Sequence, residues 1–249
     1  MKPRLHKLIC VILSLILAAN FTACRAIKEY LIKTLEEYEP KVLTDVFKET
    51  PKFADSPYVT VNNNKPIFSE DELGTKCFEE YSKLDELERV GVAFAILGKD
   101  TLPTEDRGDI SNIRPTGWHP VKYDIISGGY LYNRCHLIGY QLTGENANVL
   151  NLMTGTRYMN VEGMQPFEDL ICDYILETNN HVAYRVTPVF IDDNMLAYGV
   201  QMEAYSIEDE GNGVCFNIYC FNAQPGIAID YKTGDSCLLE YADHLNKSP

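Results

Sequence analysis

His136 ends a run of strand-forming residues and stands two positions after Arg134, with a segment dense in amides and hydroxyls behind it. A satisfied core histidine is the plainer account of a ring in such a place. The polar surroundings admit another. Cleaving a phosphodiester with water needs a base for the water, a cation for the charge on phosphate, and a metal ion to polarise the phosphate or the leaving oxygen. His136, Arg134 and a metal held by Asn160 would supply all three.

Arg157 and Asn160 are three residues apart, and Glu168 lies about two turns beyond Asn160, so in one helix the three share roughly one face. Two readings of this face stay open. Arg157 and Glu168 could be a solvated charge pair beside a surface amide, or Asn160 could offer its oxygen to a cation. His119, next to Trp118, is a rival base and could equally cap the tryptophan against the core. Cys135 adjoins His136, but neighbouring strand residues point to opposite faces, which speaks against a cysteine nucleophile served by that histidine. His181 and His244 read as structural or solvated.

Several elements must position these residues. Residues 130–138 read as a strand, 143–148 as a polar loop, and 156–178 as a helix in which Pro166 either makes a kink or begins a second helix at its first turn. Residues 91–97 are a short apolar run bounded by glycine, which predicts a buried strand. Residues 181–190 and 196–207 alternate around the Asp192-Asp193-Asn194 turn, 214–221 add another β-rich run, and 58–61 begin the domain as a strand. Ser69-Glu70-Asp71-Glu72 looks like a capped helix start that Phe78, Tyr81 and Leu84 continue at helical spacing. Residues 230–235 read as a turn. The expected fold class is α+β, with a central, mainly antiparallel sheet.

The formal net charge of −14 argues against a general polyanion binder, because phosphate contacts need local Lys and Arg. Residues 107–160 are the exception: Arg107, Arg114, Lys122, Arg134 and Arg157 face only Asp109, Asp124 and Glu145, a local excess of cations on an acidic chain.

The N-terminus reads as an export signal. Lys2, Arg4 and Lys7 precede the apolar residues 8–17, a run short for a permanent membrane span, and Thr22-Ala23-Cys24 resembles the end of a bacterial lipoprotein signal whose cysteine is acylated. Residues 1–24 are thus expected to be a signal, 25–55 an amphipathic tether interrupted by Pro40 and Pro51, and 56–249 one folded domain. Six cysteines then remain, an even number that permits disulfides in an exported chain, with none of the paired spacing of a zinc site.

Asn133-Arg134-Cys135-His136, the loop ending at Asn151, and Thr154-Gly155-Thr156-Arg157-Tyr158-Met159-Asn160 with Glu168 resemble the DNA/RNA nonspecific endonuclease family, in particular its secreted streptococcal-type DNases. Thr116-Gly117-Trp118-His119 and Gln224-Pro225-Gly226 extend the resemblance in weaker form. It implies a ββα-metal motif on the antiparallel sheet, His136 as general base, Asn160 as metal ligand, and Arg134 as a phosphate contact, with Arg157 also on the substrate side. Asn151 and Glu168 become supporting polar residues of the catalytic site. The implied cofactor is Mg²⁺, with Mn²⁺ as substitute; the implied substrate is DNA, with RNA as the alternative, and the products carry 5′-phosphate and 3′-hydroxyl ends. The family has Asp and Gly where this chain has Asn133 and Cys135, so what orients the imidazole is left open. The expected protein is extracytoplasmic, secreted or held to the membrane by a lipid on Cys24. A DNA-capturing lipoprotein without catalysis and a nuclease toxin module are the alternatives.

Overall fold

Alternation places the core. On β6 (Val182–Val189), β7 (Gly199–Ser206) and β8 (Cys215–Phe221) every second residue is apolar, and antiparallel register sets them side by side: Val186 faces Met202, which faces Ile218, and Tyr184 faces Ala204, which faces Phe216. β3 (Ala93–Leu97) adds Ala93, Ala95 and Leu97 to the same face. The computed structural model describes residues 51–54 and 56–242. In it these strands, with β1 (Tyr58–Thr60) and β2 (Phe78–Tyr81) at the edges, form a six-stranded antiparallel sheet in the order β1-β8-β7-β6-β3-β2. The class is α+β with a central antiparallel sheet, as the sequence predicts. The signal, Cys24, most of the 25–55 tether and His244 lie outside the described residues. Phe53, at the end of that tether, packs edge-on against Tyr158 and Phe221.

The apolar face of the sheet is covered by a second, smaller unit. β4 (Tyr132–His136) and β5 (Leu152–Thr156) form an antiparallel hairpin pairing Arg134 with Thr154 and His136 with Leu152. A four-residue helix α1 (Tyr140–Thr143) lies in their connection. After β5 the chain makes a π-helical stretch, Met159–Met164, and continues without a break as α2 (Gln165–Thr178), with Pro166 as the second residue of that α-helix. Met159, Met164, Ile171 and Ile175 bury their side chains with Cys135, Leu137 and the sheet residues in one cluster. β9 (Ile227–Ile229) and β10 (Ser236–Leu238) pair separately and, with Trp118, Leu131 and Tyr132, close a second cluster.

Residues 69–84 do not form the expected helix. Glu70–Glu72 is one 3₁₀ turn, closed by a capping box between Ser69 and Glu72, and Phe78–Tyr81 is edge strand β2. The i, i+3 spacing of Phe78 and Tyr81 is not used. Phe78 pairs with Ile96 and stacks edge-on against Phe94, so pairing with β3 overrides a weak helical pattern. The six described cysteines are all free thiols.

Candidate active site

The hairpin and α2 meet at a cleft of about 710 Å³ lined by Arg107, Arg114, Trp118, Arg134, His136, Asn160 and Glu168 among others. His136 reaches it from the last position of β4, only 6% exposed. Its Nε2 stands 2.9 Å from the Asn146 carbonyl. A carbonyl only accepts, so Nε2 carries the hydrogen and, in the neutral ring, Nδ1 keeps its lone pair. Arg107 Nη2 lies 3.4 Å from that Nδ1. Burial lowers the His136 pKa, with Arg107 acting the same way and the Asn146 bond opposing, so the ring is neutral at pH 7. The imidazole is therefore oriented by a backbone carbonyl in the loop after α1.

Arg134 is held over the Trp118 ring, 4.2 Å from its centroid, and donates from Nε to the Ile113 carbonyl at 2.6 Å and from Nη2 to the Ser111 carbonyl at 2.6 Å. Burial and the neighbouring Arg114 lower its pKa while Asp109 opposes. A guanidinium does not lose its proton at physiological pH, so an arriving anion is what relieves it.

The π-helical stretch matters for Asn160 and Glu168. Eight residues of regular α-helix overshoot two turns by about 80°. The wider π turn takes up more residues per turn, and both side chains line the cleft. Asn160 Oδ1 accepts from Cys135 Sγ at 2.9 Å. Cys135 is otherwise buried in the core and faces away from His136. Glu168 is 8% exposed and accepts the Gly139 N–H on Oε1 at 2.8 Å. Burial pushes its pKa up to about 8, the Gly139 bond opposing and Asp169 adding, so the carboxyl is protonated at pH 7. Gly139 is required by this approach: a Cβ there would collide with the Glu168 carboxyl.

Two residues named from the sequence do not reach the cleft. Asn151 is fully buried and turned to the backbone of Ile138, accepting its N–H and donating to its carbonyl, each at 2.9 Å. It braces the segment just after His136. Arg157 precedes the π-helical stretch and lays its guanidinium across Gly128, outside the cleft lining. His119 faces the Thr233 carbonyl at 3.0 Å and is not part of the cleft. His181 is bonded to Glu208 at 2.6 Å. Sequence reasoning counted Arg107 only as a charge and did not identify the Asn146 carbonyl or the Gly139 N–H; the latter two are backbone groups that no side-chain pattern reveals.

A hairpin ending in His136 and a helix bearing Asn160 thus meet in one cleft against an antiparallel sheet. The chain belongs to the DNA/RNA non-specific endonuclease family, whose model matches residues 66–208. It is similar to NucA from Streptococcus agalactiae, at 26% identity over 75% of this chain and 89% of that one, with a TM-score of 0.65. NucA is known without metal and with a magnesium ion bound. Sda1 nuclease, solved with bound zinc, is 25% identical over 74% of this chain and 96% of that one, with a TM-score of 0.60. An extracellular endonuclease at 17% identity shares the fold, with a TM-score of 0.54.

Proposed function

We propose that this endonuclease is exported, depends on a divalent metal ion, and hydrolyses DNA, with RNA as the alternative substrate, using His136 as general base. The observation that carries the reading is the His136 tautomer. With Nε2–H committed to Asn146, the Nδ1 lone pair on the cleft side meets only the long 3.4 Å contact from Arg107, and it becomes available to water once Arg107 turns to a phosphate oxygen.

The donors fit a hard cation that keeps most of its water. Asn160 Oδ1 is a neutral oxygen in the cleft, and as a carbonyl it has a second lone pair beside the one facing Cys135. Among the described residues, no three His, Cys, Asp or Glu side chains converge to hold an ion by themselves. This chemistry suits Mg²⁺, with Mn²⁺ as substitute. When bound, the ion would supply Lewis-acid stabilisation of charge developing on the phosphate and leaving oxygens.

The chain's own residues do the rest. Arg134 and Arg107 receive the phosphate oxygens. Nδ1 of neutral His136 takes a proton from water as the water oxygen bonds to phosphorus, the P–O3′ bond breaks, and the leaving O3′ takes a proton from solvent, giving 5′-phosphate and 3′-hydroxyl ends. Glu168, protonated and anchored on Gly139, supports the cleft wall beside Asn160, while Asn151 fixes the backbone that follows the base. Export rests on residues 1–24, and acylation of Cys24 would place the enzyme on the membrane surface. Among the described residues no helix is long and apolar enough to cross a membrane.

Plasmid digestion in Mg²⁺ and in EDTA tests the reading. Cleavage in Mg²⁺ that EDTA abolishes is expected; a protein that binds DNA yet fails to cut it whichever divalent ion is supplied would instead be a capture protein, and equal cleavage in EDTA would remove the metal from the account.

A further inference from the structure

Part of the cleft lining is aromatic and cationic. Tyr130, Tyr132, Trp118, Pro120 and Arg114 form it. Tyr132 is buried and spends its hydroxyl on the Gly234 carbonyl. Tyr130 differs: the residue is 47% exposed, and Lys122 Nζ stands over one face of its ring, 4.3 Å from the centroid. The two residues are paired across a β-bridge, and the connection between them turns through Gly128 and Gly129, both at positive φ, with Tyr123 N–H on the Gly129 carbonyl. The backbone therefore fixes ring and ammonium together, which is not what a loose surface tyrosine needs.

Charge on this side is left open as well. Arg89, Arg185 and Lys232 form ion pairs with carboxylates. Among the described residues, scattered lysines such as Lys65, Lys83 and Lys99 also form none, but Arg107, Arg114 and Arg134 do so together in the cleft lining, with unpaired Lys122 beside it on Tyr130, although the chain carries −14 overall. Unpaired cations gathered around one cleft of an acidic protein suit a polyanion, and an open ring among them suits a polyanion that carries flat groups.

Resting on the reading above that the cleft receives nucleic acid, we infer that Tyr130 and Lys122 form a strand-binding subsite: the Tyr130 ring stacks an unpaired base, and Lys122 meets the phosphate next to it. A closed duplex keeps its base faces covered, so the subsite serves single strands and frayed or distorted duplex. Base–aromatic stacking is worth about 1–3 kcal/mol per base, equivalent to about 5- to 150-fold in affinity.

The test is fluorescence anisotropy in EDTA, where no cleavage is expected, with a labelled oligothymidylate, the same strand with abasic sites throughout, and a duplex of equal length. Tyr130→Ala should weaken oligothymidylate binding at least fivefold and change binding of the abasic strand less than twofold. Tyr130→Phe should bind as the wild type, showing that the ring and not the fold was lost. Lys122→Gln should weaken binding to both strands and reduce the slope of log Kd against log salt by about 1. Equal loss on the normal and abasic strands, or no loss on either, overturns the subsite. Plasmid cleavage by the wild type in Mg²⁺ separates the two levels: if it persists while Tyr130→Ala binds normally, only the subsite fails, and if the wild type neither cuts nor binds any probe, both fail.

Discussion

Replacing Glu168 with glutamine should leave stability nearly unchanged at pH 4 and raise it above that of the wild type as the pH approaches 8. The carboxyl is buried, accepts the Gly139 N–H and has its pKa pushed from 4.5 to about 8. A raised acid pKa means that the folded state holds a proton the unfolded state gives up. Its stabilising contribution is complete below pH 4.5 and is lost as the pH rises through 8. The shift of about 3.5 units at about 1.4 kcal/mol each sets a ceiling of about 5 kcal/mol, reduced in so far as the cleft lets water reach the ionised group. Glutamine keeps the acceptor for Gly139 and cannot ionise, so it escapes this loss. Alanine removes the acceptor and should cost about 1–3 kcal/mol for the orphaned N–H, at every pH. Urea unfolding in EDTA at pH 4, 6 and 8, for all three proteins, measures the differences with other titrating groups held common. A wild-type-to-glutamine difference that stays flat from pH 4 to 8 would refute a buried, protonated Glu168.

Asn151→Ala should destabilise the protein by about 2–5 kcal/mol, because it orphans both backbone groups of Ile138; a change under 1 kcal/mol in urea unfolding would count against that bracing role. Cys135→Ala should weaken Mn²⁺ binding by about fivefold, the worth of one hydrogen bond that fixes Asn160, while Cys135→Ser restores it, as read by Mn²⁺ electron paramagnetic resonance; tighter binding in the alanine variant would mean that the thiol competes with the ion. Arg157→Ala should change cleavage less than twofold, whereas Arg134→Ala should lower kcat/KM at least tenfold; the reverse order would show that the cleft is misassigned.

The strands of the main sheet were legible where one period ran unopposed, while β5 (Leu152–Thr156), the second strand of the site hairpin, was not read as a strand. Residues 181–207 alternate around a turn of Asp192, Asp193 and Asn194, and the observed β6 and β7 pair along their full length. Phe78 and Tyr81 fit both helical spacing and an edge strand, and only Ile96 and Phe94 across the ladder decide between them. In the site, His136 and Asn160 stood out through the resemblance of their surroundings to the family's motif, whereas residue type and spacing alone left a core histidine and a surface amide open. That Pro166 begins a helix and that a π-helical stretch precedes it could not be separated from a simple kink, yet that geometry brings Glu168 to the cleft. Asn151 illustrates the limit for amides: its type suggested the site, but its direction is set by the backbone of Ile138. Arg107 reaches His136 from 29 residues upstream, through a loop that carries no periodic signal.

The measurement closest to the central claim is the pH dependence of cleavage at saturating Mg²⁺ for the wild type and for His136→Ala. Burial lowers the His136 pKa, so the neutral base is fully present at lower pH than for an ordinary histidine, and the wild-type rate should rise with pH and level off with a midpoint below 6.5. His136→Ala should fall by about 10²- to 10⁴-fold, lose that limb, and regain part of the rate from added imidazole. A His136→Ala protein that cuts at the wild-type rate, or keeps the same pH limb, would contradict His136 as the base.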